Sequence, residues 1–263
     1  MEAMSSLMAS RPPTDRDGPL LNAAAATALL QPLDPMARLR WGLQTFGDSF
    51  ALTTSFGIQS AVLLHMVSRI SAAIPVIWVD TGYLPAETYR YAETLCQLLK
   101  LNLQVAQPEQ SSARMEALHG RLWETGRLED MDLYLRMRKV EPLDRMFEQL
   151  QVHGWASGVR GNQTDHRRAM RPLDSVRGRW SLRPLLSWTS RDVFYYMQDQ
   201  ALPHHPLFEQ GYSTVGDWHS SGPDAGSDPG EDGQREDGQR GSRFAGLRQE
   251  CGIHLPGVMG EGI

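Results

Sequence analysis

Two consecutive strand–loop–helix units in the first half of the chain constrain the fold more than any other feature. The first has a β-prone run at residues 50–54, a loop of mostly small residues at 55–60 and an apolar helical stretch at 61–67. The second has a buried strand pattern at 74–79 and a helical pattern at 85–99. Strands that alternate with helical segments are typical of βαβ units and a parallel sheet. We therefore predict an α/β fold built on an open, mostly parallel sheet.

Polar residues follow both of these strands at the point where each strand ends. The first loop reads Ser-Phe-Gly-Ile-Gln-Ser at 55–60, and the second begins Asp-Thr-Gly at 80–82. The first loop alone indicates an ordinary β–α turn, because it lacks the dinucleotide glycine pattern and the Gly-Lys-Ser/Thr ending of a P-loop. The carboxyl ends of parallel strands, however, line the crevice where open α/β sheets bind ligands. Two such loops together predict a nucleotide site, with a helix N-terminus near Gln59 facing an anion.

Positive charge is concentrated in two stretches of a chain whose net charge is −5. Three cations fall within residues 136–139, which fits a solvated face as well as it fits a site. Seven arginines lie between 160 and 183, where there are only two aspartates. Clustered arginines suit multiply charged anions. We predict that the second stretch binds such an anion, in preference to forming a generic basic loop.

The remaining helices and strands are predicted from shorter patterns. Helices are expected within 21–46, broken around Pro32 and Pro35, within 111–152, and from a Ser190 cap to residue 200. Strands are expected at 101–105, 155–159 and 181–185.

Composition divides the chain into a folded body and three further segments. Residues 1–19 lack periodicity and are predicted to be disordered, residues 20–221 to form the α/β domain, and residues 242–263 to form a catalytic tail. Residues 222–241 are rich in glycine and acidic residues and repeat Glu-Asp-Gly-Gln-Arg, which predicts a flexible spacer. The acidic net charge argues against nucleic-acid or membrane-surface binding, and no stretch has a membrane-spanning length. We expect a soluble, cytoplasmic protein.

The chain has two cysteines, which is too few for a disulfide framework or a four-cysteine cluster and favours a reducing compartment. Cys96 lies among leucines and is predicted to be a core thiol. Cys251 has Glu250, Arg243 and His254 close by in sequence. Cationic neighbours favour the thiolate, which is the nucleophilic form. A buried thiol in a turn is the alternative, but these polar neighbours favour Cys251 as a reactive group.

Five ordered motifs resemble the phosphoadenylyl sulfate (PAPS) reductase family of assimilatory sulfate reduction. They are the first loop with its flanks at 54–61, the second loop with the start of its helix at 80–89, Lys-Val-Glu-Pro at 139–142, Gly-Tyr-Ser-Thr-Val-Gly-Asp at 211–217 and Glu-Cys-Gly-Ile-His at 250–254. The last motif is the most specific, and the resemblance runs from about residue 52 to residue 254. It implies a fold related to the adenine-nucleotide hydrolases, with helices on both faces of the sheet.

The resemblance implies that the loop at 55–60 holds the phosphosulfate and that Cys251 is the catalytic nucleophile. Attack on sulfur would release adenosine 3′,5′-bisphosphate and leave an S-sulfocysteine, from which an external dithiol would release sulfite. The residues assigned to substrate binding, from the loops and from the resemblance, are Ser55, Phe56, Gly57, Gln59, Ser60, Asp80, Thr81, Gly82, Lys139, Arg160, Gln163, Arg243 and His254.

Cysteine content separates two groups within this family. The iron–sulfur adenylyl sulfate (APS) reductases have a Cys-Cys pair and a Cys-x-x-Cys where this chain reads Leu-Tyr-Leu-Arg at 133–136 and Asp-Trp-His-Ser at 217–220. We therefore expect PAPS as substrate, no iron–sulfur cluster and no metal, since the histidines also match no metal-ligand spacing. With no second cysteine near Cys251, reduced thioredoxin or glutaredoxin is the expected reductant. The oligomeric state is left open, a homodimer included.

Three alternatives remain at this point. APS is the first, as substrate of a cluster-free enzyme. The second is an ATP pyrophosphatase-type ligase or sulfurtransferase, but the loop at 55–60 lacks the second glycine and the aspartate of Ser-Gly-Gly-x-Asp-Ser. The third is a non-catalytic nucleotide-binding protein, against which the intact Cys251 segment argues.

Overall fold

The structure is a computed structural model that describes residues 21–224 and Ile253. The predictions for residues 1–19, for the spacer beyond residue 224 and for the tail apart from Ile253 lie outside the described residues.

A six-stranded sheet organises the described chain, in the strand order β3-β2-β1-β4-β6-β5. The strands are β1 (Phe50–Thr54), β2 (Pro75–Val79), β3 (Asn102–Ala106), β4 (Gly154–Ala156), β5 (Leu173–Val176) and β6 (Arg179–Leu182). Only the β5–β6 pair is antiparallel. In the central register, Leu52 lies opposite Val76 on one side and Ala156 on the other. The chain builds β1 to β3 outward and then returns to the other side of β1 for β4, so the strand order reverses between β1 and β4.

Nine α-helices accompany these strands in the part of the chain that the structure describes. They are α1 (Ala23–Leu30), α2 (Pro35–Phe46), α3 (Ala61–Ser68), α4 (Ala86–Leu99), α5 (Ser112–His119), α6 (Leu128–Leu135), α7 (Glu141–Gln149), α8 (Asp165–Arg168) and α9 (Ser190–Asp199). A π-helical turn, Arg136–Val140, joins α6 directly to α7. Short 3₁₀ turns lie at Gly47–Ser49, Leu122–Glu124, Gly161–Gln163 and Trp218–Ser220.

Helices cover both faces of the sheet. Because successive strand residues point to opposite faces, Phe50 and Leu52 of β1 join a large core with α1, α2, α3, α4 and α9. Ala51 joins a smaller core with Leu143 and Phe147 of α7. The predicted α/β fold, with a mostly parallel sheet between two helical layers, is confirmed.

Most of the predicted elements are present, with boundaries shifted by a few residues. The segment 21–46 forms two helices separated at residues 31–34, and Asp34 caps the second through the backbone N–H of Ala37. Cys96 on α4 packs against the edge of the large core, and burial raises the pKa of its thiol. Among the described residues, no helix has the length and apolar character to cross a bilayer.

Two local predictions are wrong, and one strand was missed. Thr189 caps α9 instead of Ser190, because the Thr189 hydroxyl accepts the N–H of Asp192 and the Asp192 carboxylate accepts that of Thr189. The strand β5 was not predicted; it forms a hairpin with β6 through Arg177 and Gly178, both at positive φ. The strand predicted at 155–159 ends at Ala156.

Candidate functional site

A pocket of about 230 Å³ opens at the carboxyl ends of the central strands, where the strand order reverses. Thr54 of β1, Val79 of β2 and Ser157, directly after β4, contribute to its wall. This is the position at which open α/β sheets bind ligands, because the connections on either side of the switch point leave in opposite directions. The pocket lies where the two strand-end loops predicted it.

Eight of the predicted site residues line this pocket. They are Ser55, Gly57, Gln59, Ser60, Thr81, Lys139, Arg160 and Gln163. Cys251, Arg243 and His254 lie outside the described residues. Three others, Phe56, Asp80 and Gly82, do not line the pocket and instead hold the two loops in shape.

Phe56 anchors the loop at 55–60 to the core. Its side chain is fully buried and packs edge-on against Trp78, with ring centroids 5.0 Å apart. Its backbone has a positive φ of 46°, and its N–H is bonded to the Thr54 hydroxyl at 3.1 Å. The chain reverses at this point, and Ser60 closes the turn by donating its hydroxyl to the Gly57 carbonyl at 2.8 Å. The loop therefore presents small residues to the pocket, with the aromatic ring as its anchor.

Asp80 and Gly82 shape the second loop. The Asp80 carboxylate accepts the N–H of Gly82 at 2.9 Å and the hydroxyl of Tyr89 at 2.6 Å. Gly82 has a φ of 75°, and a Cβ there would come within 2.9 Å of the Arg138 guanidinium. Arg138 in turn donates from Nε to the Thr81 carbonyl at 2.8 Å. The loop needs glycine because its backbone conformation and a buried arginine leave no room for a side chain.

One wall of the pocket is formed by the Arg160 cluster, which consists of Arg160, Gln163 and Arg167. Arg160 is 2% exposed, and neither terminal guanidinium nitrogen has a hydrogen-bond partner among the residues that the structure describes. Burial, followed by the charge of Arg167, lowers the pKa of Arg160 to about 10. The Gln163 side-chain oxygen accepts from the Arg160 backbone N–H at 3.2 Å and from the Arg167 guanidinium. The cluster thus places the buried positive charge of Arg160 at the pocket wall.

The other arginines between 160 and 183 do not line the pocket. Arg171 and Arg183 pair with Asp174, Arg168 pairs with Asp165, and Arg177 and Arg179 lie close to Asp144. Of the seven arginines in the stretch predicted to bind an anion, only Arg160 and Arg167 therefore line the pocket. Arg167 was not singled out from the sequence, because spacing alone does not distinguish it from its neighbours.

A second wall of the pocket includes Thr81 and Lys139, which with the buried Tyr134 and Asp217 form the Asp217 network. Asp217 is fully buried and accepts the Lys139 ammonium at 2.7 Å, the Thr81 hydroxyl at 2.5 Å and the Tyr134 hydroxyl at 2.9 Å. Burial alone would raise the pKa of Asp217, but the charge and hydrogen bond of Lys139, with the Thr81 hydrogen bond, hold it at about 2. Arg138 and Lys139 are both buried, so the solvated-face alternative is wrong for these two cations.

The segment 211–217 packs against the first loop and contributes to the pocket wall. Ser213, Thr214 and Gly216 line it, and Val215 packs with Ile58 and Leu207 in a small apolar cluster. The sequence motif at 211–217 therefore forms part of the pocket wall and ends at Asp217, whose carboxylate is buried. No role was assigned to that carboxylate from the sequence.

Ile253, the one described residue beyond position 224, also lies at this site. It lines the pocket and packs against the smaller core beneath β1 and β2. No group of three or more metal-binding side chains was found among the residues described.

Comparisons with known proteins identify the family of the chain. The model of the phosphoadenosine phosphosulfate reductase domain matches residues 49–223. A protein from Synechococcus sp. named phosphoadenosine 5′-phosphosulfate reductase is 53% identical over 217 residues, covering 82% of this chain and 90% of the relative. One of the same name from Synechocystis sp. is 45% identical over 243 residues, covering 92% of each chain.

Solved structures give the same picture. A crystal structure of phosphoadenylyl-sulfate (PAPS) reductase from Candida auris, a phosphate complex, has a TM-score of 0.67 and 27% identity, and covers 81% of this chain and 100% of that one. FMN adenylyltransferase from Candida glabrata has a TM-score of 0.54 at 14% identity, covering 87% and 74%, which shows the fold alone.

The predicted resemblance is confirmed, because the family model spans well over half of the chain and the curated relatives are matched over nearly their whole length. This chain belongs to the phosphoadenosine phosphosulfate reductase domain family.

Proposed function

We propose that this protein reduces PAPS to sulfite and adenosine 3′,5′-bisphosphate, with Cys251 as nucleophile and reduced thioredoxin or glutaredoxin as electron donor. The observation that carries the proposal is the buried guanidinium of Arg160, a residue of the pocket wall whose terminal nitrogens have no hydrogen-bond partner in the described chain. The identity of the substrate, PAPS, is inferred from the names of the relatives.

The unpartnered guanidinium favours a bound oxyanion on physical grounds. A buried charge without hydrogen bonds is unfavourable, and a planar guanidinium is matched by the paired oxygens of a phosphate or sulfonate. PAPS carries both groups, so its binding supplies the acceptors that Arg160 lacks. Lys139 and the backbone of the loop at 55–60 would contribute further donors from the other walls.

The chemistry consists of two displacements at sulfur. The Cys251 thiolate attacks the sulfonate sulfur, the bond from sulfur to the bridging phosphate oxygen breaks, and adenosine 3′,5′-bisphosphate leaves with the electron pair. A thioredoxin thiolate then attacks the sulfur of Cys251 and expels sulfite, forming a mixed disulfide. The second thioredoxin thiol resolves that disulfide, so that thioredoxin is oxidised and the Cys251 thiolate returns.

The position of Ile253 supports the assignment of Cys251. Ile253 contacts the pocket, and Cys251 is two residues before it in the sequence. Consecutive Cα atoms are about 3.8 Å apart, so the covalent chain keeps the Cα atoms of these two residues within about 8 Å of each other. Under the proposal, this covalent tether lets the Cys251 thiol reach a nucleotide bound at the pocket.

The expected absence of an iron–sulfur cluster remains part of the proposal. The stretches 133–136 and 217–220, where the resemblance places the cluster cysteines of the APS-using group, read Leu-Tyr-Leu-Arg and Asp-Trp-His-Ser. Two cysteines in the whole chain do not supply four thiolates. A thiol mechanism that draws on thioredoxin also fits a reducing, cytoplasmic setting.

Sulfite release tests the proposal directly. We expect sulfite from PAPS with reduced thioredoxin, much less from APS, none from the Cys251→Ser protein, and little change with Cys96→Ser as matched control. Cys251→Ser should still bind nucleotide, which calorimetry measures. Sulfite formation by Cys251→Ser at the wild-type rate, or equal rates with APS, would contradict the mechanism or the substrate.

A further inference from the structure

We propose that Asp217 is a positioning residue for the reaction, which fixes the Lys139 ammonium at the pocket wall in the orientation that the substrate needs. This inference rests on the proposed function, because it assigns Lys139 to the bound nucleotide.

The geometry separates the two oxygens of the carboxylate. Oδ1 of Asp217 accepts the Thr81 hydroxyl, and Oδ2 accepts both the Lys139 ammonium and the Tyr134 hydroxyl. Thr81 follows β2, Tyr134 lies on α6, and Lys139 lies on the π-helical turn. A single carboxylate therefore ties three separate elements together at the pocket wall.

A tether of this kind decides what a lysine contributes. A lysine side chain has four rotatable carbons and a compact charge, so its ammonium is mobile unless a partner holds it. Lys139 is 7% exposed and paired with an anion of opposite charge. It therefore offers the nucleotide an aimed N–H donor and adds almost no net charge to the pocket.

Two further residues, His219 and Trp123, also support the Asp217 network. The Tyr134 hydroxyl lies 2.9 Å from Nε2 of His219, and the His219 ring stacks on Trp123 with centroids 4.2 Å apart. These contacts limit how far the carboxylate can shift when substrate binds. Since Asp217 keeps its charge at all working pH values, the tether persists across them.

A double-mutant cycle separates positioning from general structural support. We expect Asp217→Asn, which keeps the side-chain shape, to lower kcat by about 10- to 100-fold, since a displacement of about 1 Å has effects of this size. Binding of adenosine 3′,5′-bisphosphate should not weaken by more than about three-fold, because the substitution removes a negative charge from the surroundings of the anion. In a Lys139→Met background, Asp217→Asn should lower kcat no further. Additive losses in kcat, or a loss of nucleotide binding equal to the loss in kcat, would overturn the proposal.

Lysine labelling supplies a readout that does not depend on turnover. The chain has only two lysines, Lys139 and the exposed Lys100, which serves as internal reference. With a limiting amine-acetylating reagent and peptide mass spectrometry, acetylation of Lys139 relative to Lys100 should rise at least five-fold in Asp217→Asn. An unchanged ratio would show that the carboxylate does not hold the ammonium, and would overturn the proposal.

If Asp217→Asn does not fold, Tyr134→Phe carries the same test, because it removes one donor from Oδ2 and leaves the ion pair. Its loss in kcat should be present with Lys139 and absent in Lys139→Met; equal losses in both backgrounds would overturn the proposal. Failure of the proposed function is distinguishable, since the wild-type protein would then release no sulfite from PAPS while the labelling ratio still responded to Asp217.

Discussion

The two walls of the pocket hold their cations in opposite ways. In the Asp217 network, the Lys139 ammonium lies 2.7 Å from a fully buried carboxylate. In the Arg160 cluster, the guanidinium is as deeply buried, but among the described residues no carboxylate comes within ion-pair distance and its terminal nitrogens lack hydrogen-bond partners.

The difference indicates that one wall contributes mainly to anion binding and the other mainly to the geometry of the site. A neutralised cation adds little to the attraction of an anion but has a fixed position, whereas an unpaired buried cation attracts strongly and is unfavourable until an anion arrives. We therefore expect changes on the Asp217 side to act mainly on stability and turnover. Changes on the Arg160 side should act mainly on affinity.

The largest expected effect is on stability. Asp217→Leu should lower the free energy of unfolding by about 3–5 kcal/mol, because it leaves the Lys139 ammonium buried without its carboxylate. Adding Lys139→Met should restore much of the loss, since an apolar pair no longer buries a charge. Urea denaturation of the three proteins measures this. Equal stability of Asp217→Leu and wild type would show that the network is not a buried ion pair in solution.

On the other wall the sign of the stability effect should reverse. Arg160→Met should weaken PAPS binding by about 100-fold, the size expected when a buried, charge-assisted hydrogen-bond donor is removed. The unfolding free energy of the ligand-free protein should stay equal or rise, because an unpaired buried charge has been removed. Calorimetry in the Cys251→Ser protein measures binding without turnover.

Arg168→Met is the matched control for this prediction. Arg168 lies in the same segment but is exposed and paired with Asp165, so its loss should change PAPS affinity by less than about two-fold. A similar loss of affinity in both variants would mean that the segment acts through general positive charge, as the sequence first suggested.

Neither the Asp217 carboxyl nor the Arg160 guanidinium changes its charge between about pH 4 and pH 8, since the pKa of Asp217 is about 2 and that of Arg160 about 10. A pH dependence of stability in this range must come from elsewhere, and His205 is one source. Its ring is fully buried, with Nδ1 accepting the N–H of Leu207 and Nε2 bonded to Thr88. Burial lowers the pKa of His205 to about 4.

The direction follows from the two states. An unfolded chain takes up a proton at His205 near pH 6.5, whereas the folded chain does so only near pH 4, so stability falls as the pH drops through this window. The expected loss between pH 7.5 and 5.5 is about 1.4 kcal/mol. Urea denaturation at both pH values should show a smaller difference for His205→Gln than for wild type. An equal difference would mean that His205 does not stay neutral in the fold.

The sequence predicted the parts of the site that depend on local pattern. Strand ends followed by small polar residues located the pocket, and local motifs brought Ser55, Thr81, Lys139 and Arg160 to it. These signals work because chain direction and side-chain alternation fix where a strand end must lie in a parallel sheet.

Long-range pairing decided what the sequence did not predict. Asp217 meets Thr81 across 136 residues of chain, and Arg177 meets Asp144 across 33. Sequence spacing does not reveal such contacts. The seven arginines therefore looked equivalent, although only Arg160 and Arg167 line the pocket. The missed hairpin has a different cause, since Arg177 adopts a positive φ that non-glycine residues rarely take and its turn lacks the usual Asn-Gly or Asp-Gly signal.

The smallest expected effect comes from Gln163→Glu, which places a carboxylate beside the cations of the Arg160 cluster, as Asp217 lies beside Lys139. Gln163→Glu is nearly isosteric and places a carboxylate where the amide oxygen now accepts from Arg160 and Arg167. It gives the Arg160 cluster the internal anion that the Asp217 network already has. PAPS affinity in the Cys251→Ser background should fall by about five- to ten-fold, since each 1.4 kcal/mol of new repulsion or pairing is tenfold.

Gln163→Ala separates the added charge from the lost hydrogen bonds. It removes the same acceptor without adding an anion. Its affinity for PAPS should therefore remain closer to that of wild type than the affinity of Gln163→Glu does. The charged variant should also bind more weakly at low ionic strength relative to Gln163→Ala, with the gap narrowing as salt screens the carboxylate. If both variants lose affinity equally at every salt concentration, Gln163 acts by shaping the wall. The open charge of the Arg160 cluster would then not be what draws the nucleotide in.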